Sequence, residues 1–192
     1  MKELSTEKGE KIILGIDPGT NVMGYGVIEI IGSKINLQQY GVIHLSKYDK
    51  DDHALKLKKI YDKVSEVIEQ YMPDMVAIEA PFFGKNIQSM LKLGRAQGVA
   101  LAAALARNIP VVEYSPKKIK QSVTGNGNAT KEQVAFMLKN MFDLAEKPEF
   151  FDATDALAVA ICHHYQNKTT FSKTSKNNWD SFIKDNPSRV KK

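Results

Sequence analysis

A chain of 192 residues, 43% hydrophobic and 26% charged, suits one ordinary domain with short appendages and excludes a disordered or collagen-like polymer. No apolar run approaches the roughly 20 residues of a membrane helix, and a single cysteine, Cys162, excludes an internal disulfide and a cysteine-based zinc site. The net charge of +5 resides in the tail, where residues 166–192 hold seven bases and two acids against 18 and 17 in residues 11–165, so overall charge alone does not establish nucleic-acid binding.

Residues 1–10, MKELSTEKGE, lack the apolar stretch of a secretory leader. They read as a disordered extension, and the cytoplasm is the expected setting. From Lys11 the run KIILGID is a short apolar strand ending in a polar turn, DPGTN. Residues 23–31 and 34–44 are further strands, joined through Gly32-Ser33, a pair suited to a tight hairpin. Leu55, Leu57, Ile60, Tyr61, Val64 and Ile68 then recur at amphipathic-helix spacing over residues 52–71, and Pro73 stops that helix. MVAIE, residues 75–79, is a buried-type strand. Residues 86–108 form a long helix rich in small apolar side chains, and PVVEY, residues 110–114, is a fifth strand.

The pattern is helical from there on. SPKKIKQSVTG precedes a polar loop, GNGNAT, and helices span residues 131–142 and 152–165. Thr130 with Gln133 three positions later has the form of a capping box. Residues 167–192 are rich in Ser, Thr, Asn and Lys, with isolated Phe171, Trp179 and Phe182, and read as a flexible basic tail after a folded domain of residues 11–166. The order implies an α/β fold: one five-stranded mixed sheet, three strands antiparallel and the rest parallel, with helices on both faces.

Acids interrupt the apolar runs at four places. Asp17 ends the first strand, Glu79 ends the fourth, and Asp152 and Asp155 open the last helix. A right-handed crossover makes the first and fourth strands parallel neighbours and brings Asp17 near Glu79. The three-residue spacing puts Asp152 and Asp155 on one face of the first helical turn. Like charges at short range resist ionising together, and a divalent cation relieves them. Ligands that are all oxygen favour Mg²⁺ or Mn²⁺, and two such ions about 4 Å apart can support phosphodiester hydrolysis. Taken singly, Asp17 is equally a turn residue before Pro18, Asp152 a helix cap and Glu79 a solvated strand end. Four such coincidences together are a less economical account.

The segments ILGIDPGTNVMGYGVIE, MVAIEAPFFGKNIQSMLKLGRAQGVALAAA, EYSPKKIKQSVTGNGNATKEQV and DATDALAVAICH resemble successive blocks of the RuvC family of bacterial crossover-junction endodeoxyribonucleases, and they cover nearly all of residues 11–166. The resemblance implies an RNase H-like fold, a homodimer, two Mg²⁺ ions per subunit with Mn²⁺ as substitute, and paired nicking of two opposed strands of a four-way (Holliday) DNA junction. It also implies work in recombination and repair alongside the RuvA-RuvB branch-migration complex. Asp17, Glu79, Asp152 and Asp155 match the family's metal-binding acids. Phe82 matches its base-stacking aromatic, while Lys85, Lys120 and Lys131 match basic positions of its DNA cleft. The chain departs from the pattern at Ala80-Pro81, at Gly84 and in its two termini.

Lys117 and Lys118 add charge beside Lys120, and Lys120 and Lys131 flank the Gly/Asn loop, where they could stabilise negative charge at a scissile phosphate. Phe83 reads better as packing than as a second stacking residue. His163 and His164 follow the acids on the last helix and read as satisfied histidines, though His164 could lie near the cluster. The helix over 86–108 is a dimer interface by resemblance, or else the core helix of a monomer. Two other functions stay open. GIDPGT also resembles the phosphate-binding opening of actin-like nucleotide-binding proteins, which need two such lobes, and a non-catalytic junction-binding module would use the same surface.

Overall fold

The computed structural model describes residues 11–46, 52–81, 86–144 and 150–172, and in the last helix the side chains of 151–166. Its elements are β1 (Lys11–Asp17), β2 (Val22–Ile31), β3 (Lys34–His44), α1 (His53–Tyr71), β4 (Met75–Glu79), α2 (Ile87–Leu105), β5 (Val111–Tyr114), α3 (Pro116–Thr124), α4 (Lys131–Phe142) and α5 (Phe150–Ser172). The strands form one sheet in the order β3-β2-β1-β4-β5. β1 pairs antiparallel with β2 and β2 with β3, while β4 runs parallel to β1 and to β5. This is the mixed sheet that the strand pattern predicts.

Local chemistry sets the element ends. The β2–β3 turn uses Gly32 at φ 61°, a left-handed conformation that glycine adopts without strain. Asp52 caps α1 by accepting from the Leu55 N–H at 2.9 Å. The Thr130–Gln133 capping box forms with both of its bonds. α2 stops at Leu105 and not at residue 108, because Asn108 turns left-handed (φ 57°) and the Ile109 N–H reaches back to the Ala104 carbonyl at 3.1 Å. α5 begins at Phe150 and continues to Ser172, beyond the expected end at Tyr165. Extending a docked helix adds one hydrogen bond per residue without a new nucleus, so weak helix formers suffice there. The expected extension over residues 1–10 and the tail beyond Ser172 lie outside the described residues.

Alternation along β1 and β4 divides the core between the two faces of the sheet. Leu14, Ile16, Val76 and Ile78 pack with α1 and α2 on one face, and Ile13 and Ala77 pack with α3, α4 and α5 on the other. α5 is buried continuously from Ala156 to His164, as expected of a helix that is apolar on every side. It lies against the sheet at unusually close range. A Cβ on Gly15 would stand 2.2 Å from the Ala156 carbonyl oxygen, one on Gly24 2.1 Å from the Asp152 carbonyl oxygen, and one on Gly26 2.9 Å from the Leu157 Cα. Bare backbone on β1 and β2 is therefore the seat on which α5 rests.

Candidate active site

Asp17 and Glu79 each end a strand of the parallel pair, one residue beyond the Ile16–Ile78 register, so both carboxylates emerge at the same edge of the sheet. Asp17 faces Gly24 across β2, and Gly24 touches the backbone of Asp152. The glycine seat thus delivers the first turn of α5, with Asp152 and Asp155, to the edge where β1 and β4 end. Burial is the first cause that pushes the Asp17 carboxyl well above its ordinary range, followed by the charges of Glu79, Asp155 and Asp152. Burial and then Asp155 push Glu79 up to about 7. The four expected acids therefore converge, and Asp17, Glu79 and Asp155 each ionise less readily beside another of them.

Two of the five expected lysines, Lys131 and Lys120, join them. Lys131, the first residue of α4, places its Nζ 2.8 Å from Asp155 Oδ2. That bond holds the lysine more firmly protonated, and burial still leaves Asp155 above its ordinary range. Lys120, on α3, adds positive charge that favours ionised Glu79 and Asp155. Lys117 and Lys118 are exposed on the preceding turn of α3. The stem of Lys117 covers Gly127, and the charge of Lys118 acts on the Cys162 thiol two turns along α5 from Asp155. Phe82, Phe83 and Lys85 lie outside the described residues. His163 is buried with its Nδ1 2.9 Å from the Tyr114 hydroxyl. His164 lies nine residues beyond Asp155, about 14 Å along the helix, and so stands apart from the acids.

The family model described as crossover junction endodeoxyribonuclease RuvC matches residues 13–163. The chain belongs to the RuvC family. A RuvC protein of Cytophaga hutchinsonii is 62% identical over 182 residues, which are 95% of this chain and 89% of that one. A second, from Bacteroides fragilis, is 55% identical over 184 residues, 95% of this chain and 97% of that one. Among solved structures, Thermus thermophilus RuvC in complex with a Holliday junction substrate superposes with a TM-score of 0.76 at 32% identity, covering 83% of this chain and 96% of that one. The yeast mitochondrial Holliday junction resolvase, at 17% identity and a TM-score of 0.54, shares the fold. With these neighbours the five-stranded sheet is an RNase H-like fold.

A RuvC enzyme depends on metal, and the donor set fits a hard divalent cation: four carboxylates, no thiolate, and mutual repulsion that such a charge would relieve. Lys131 stands where part of that positive charge is needed. Among the described residues no three side chains of His, Cys, Asp or Glu close tightly enough round one point to hold an ion as they stand. Asp17, Glu79, Asp152 and Asp155 would hold it, with Asp155 released from Lys131.

This arrangement has a pH signature. Glu79 rises from an ordinary 4.5 to about 7 in the folded protein. A folded-state value above the unfolded one gives stability that is complete below pH 4.5 and lost as the pH rises through 7. Without divalent cation, the difference in melting temperature between wild type and Glu79→Gln should therefore turn against the wild type between pH 5 and pH 8, and added cation should stabilise the wild type more at pH 8. Calorimetry at both pH values checks this. A gap between the two proteins that ignores pH would show that burial does not hold Glu79 protonated.

Proposed function

We propose that the chain resolves four-way DNA junctions by hydrolysing one phosphodiester bond in each of two opposed strands, as a homodimer with two Mg²⁺ ions per subunit and Mn²⁺ as substitute. Its setting is recombination and repair in the bacterial cytoplasm, beside the RuvA-RuvB complex. No helix among the described residues is long and apolar enough to cross a membrane. The observation that carries the reading is the convergence of Asp17 and Glu79, at adjacent strand ends, with the first turn of α5. Bound cations would supply Lewis-acid stabilisation of charge on the phosphoryl oxygens. The protein's own groups hold and orient. Asp17 and Glu79 are fixed by the sheet, Asp152 and Asp155 by the seated helix, and Lys131 neutralises Asp155 before any cation arrives. Lys131, once released, and Lys120 would offset charge developing on the scissile phosphate. Lys117 and Lys118 neutralise flanking phosphates, and Phe82 and Lys85, on the segment between β4 and α2, stack on a base and hold a phosphate.

The dimer draws support from α2. Ile87, Leu91, Gly94, Gly98, Ala102 and Leu105 are exposed on one stripe of this helix, and a Cβ on Gly94 or Gly98 would meet nothing within 4 Å. An apolar stripe with two glycines lets a second helix approach closely, and a twofold axis would then set two sites against two equivalent strands. Leu91→Glu should give a folded monomer by light scattering and lose the pairing of nicks. A dimer that survives this change overturns the α2 interface. The function itself is tested by mapping products from a synthetic four-way junction. Symmetric, Mg²⁺-dependent paired nicks are expected, and an intact junction under those conditions would refute the reading.

A further inference from the structure

The face of the sheet opposite α5 carries a second concentration of charge. α1 ends at Tyr71, shortly before β4 starts at Met75, and α2 ends at Leu105, shortly before β5 starts at Val111, so both helices run back from the edge where the parallel strands end to the edge where they start. Both helices therefore start at the edge that carries the acids. His53 and Lys56 occupy the first turn of α1, Lys92 and Arg95 lie one turn apart on α2, and the two helices pack together. Lys56 is only 8% exposed. His53 is held toward its neutral form by burial first and then by Arg95, Lys92 and Lys56, which places all three cations around it. Its Nε2 is buried and has no hydrogen-bond partner among the described residues.

Among the described residues these cations have no counter-ion. Further along the same helix pair Lys58 meets Asp62, Lys63 meets Glu66 and Arg107 meets Glu69. Among the described residues no carboxylate lies within ion-pair distance of Lys56, Lys92 or Arg95. The nearby Asp52 spends one oxygen on the Leu55 N–H as the helix cap. The positive end of α1 adds to the same field. Three cations with no ion-pair partner among the described residues, gathered around a buried imidazole, form a site suited to an anion that offers several acceptor oxygens.

We propose that Lys56, Lys92 and Arg95, gathered around His53, grip a backbone phosphate of the DNA substrate outside the scissile step. The proposal rests on the junction-resolving reading above. An arm of the substrate would be held on the α1–α2 side while the strand to be cut lies over the acids on the α5 side. The corner would then contribute affinity and placement of the junction, with no part in the chemical step.

The test is binding of a four-way junction in Ca²⁺ across a salt series, for the full chain and for Lys92→Gln/Arg95→Gln and, separately, Lys56→Gln. Each lost phosphate contact should lower the slope of log K against log salt by about 1. Nicking at saturating enzyme in Mg²⁺ should keep its wild-type rate, and Lys92→Arg/Arg95→Lys should restore the slope. Because Lys56 lies off the α2 stripe, its variant must reproduce the change with dimer mass retained. Wild-type slopes in both variants overturn the proposal, as does weaker binding with an unchanged slope, which would make these side chains packing residues. Failure of the wild type to nick would sink the junction-resolving reading instead, whatever the slopes.

Discussion

Asp17→Asn should cut a four-way junction at least about 100-fold more slowly than the wild type, bind it as tightly, and melt no lower. The rate follows from position. Losing a residue that only orients a metal ligand costs about 10- to 100-fold, and Asp17 sits at the centre of the acids, with Glu79, Asp155 and Asp152 all bearing on it. The melting behaviour follows from its burial. Its carboxyl is pushed well above the ordinary range, so ionised Asp17 works against folding at neutral pH, and a neutral amide of the same shape removes that opposition. Binding is spared because the proposed phosphate contacts come from lysines and Arg95, and one acid fewer weakens repulsion of DNA. Junction cleavage, gel-shift affinity and calorimetry on the same preparation check all three. A variant that cuts at the wild-type rate, or that melts clearly lower, would make Asp17 a structural turn residue.

The elements that place the acids can be read from sequence because each depends on short-range pattern. KIILGID and MVAIE are apolar runs that end in an acid, and an acid there costs the fold something unless a function uses it. The crossover rule then sets the two strands side by side, as the Ile16–Ile78 register has them. The Thr130 capping box fixes the start of α4, and with it the position of Lys131 relative to Asp155. Where prediction and structure differ, the cause is local backbone conformation. Asn108 ends α2 early, and α5 runs on past Tyr165 because it is already nucleated and docked.

What pattern does not carry is which elements touch at close range. Gly15, Gly24 and Gly26 look like ordinary strand glycines. Their signal is that two of them alternate along β2 while Gly15 pairs with Gly26 across the strands, leaving one bare patch on one face. Finding its occupant requires knowing that α5, more than a hundred residues later, is the helix laid across it. Lys118 shows the converse. It neighbours Lys120 in sequence, yet two residues of helix turn its charge toward Cys162 and away from the acids. The corner formed by His53, Lys56, Lys92 and Arg95 likewise joins residues that no local motif links.

Gly24→Ala should damage both stability and cutting, and the second loss should exceed what the first explains. The added methyl would stand 2.1 Å from the carbonyl oxygen of Asp152, 3.0 Å from its carbonyl carbon and 3.1 Å from the Ala156 Cβ. The first two are backbone atoms, so no rotamer change relieves the clash. Either β2 sinks or the first turn of α5 lifts. Overpacking of this kind costs about 1 to 3 kcal/mol, and at roughly 2 to 4 °C per kcal/mol for a chain of this length the melting temperature should fall by about 2 to 12 °C. A lifted α5 also carries Asp152 and Asp155 away from Asp17 and Glu79, and a displacement of about 1 Å at a reacting centre can cost on the order of 100-fold in rate. Measured well below the new melting temperature, the variant should remain folded by circular dichroism, need more Mg²⁺ for half-maximal rate, and cut about 100-fold more slowly at saturation. A variant that melts lower but retains its rate per folded molecule would mean that the glycine seat serves packing alone, with the acids held in register by α4 through Lys131.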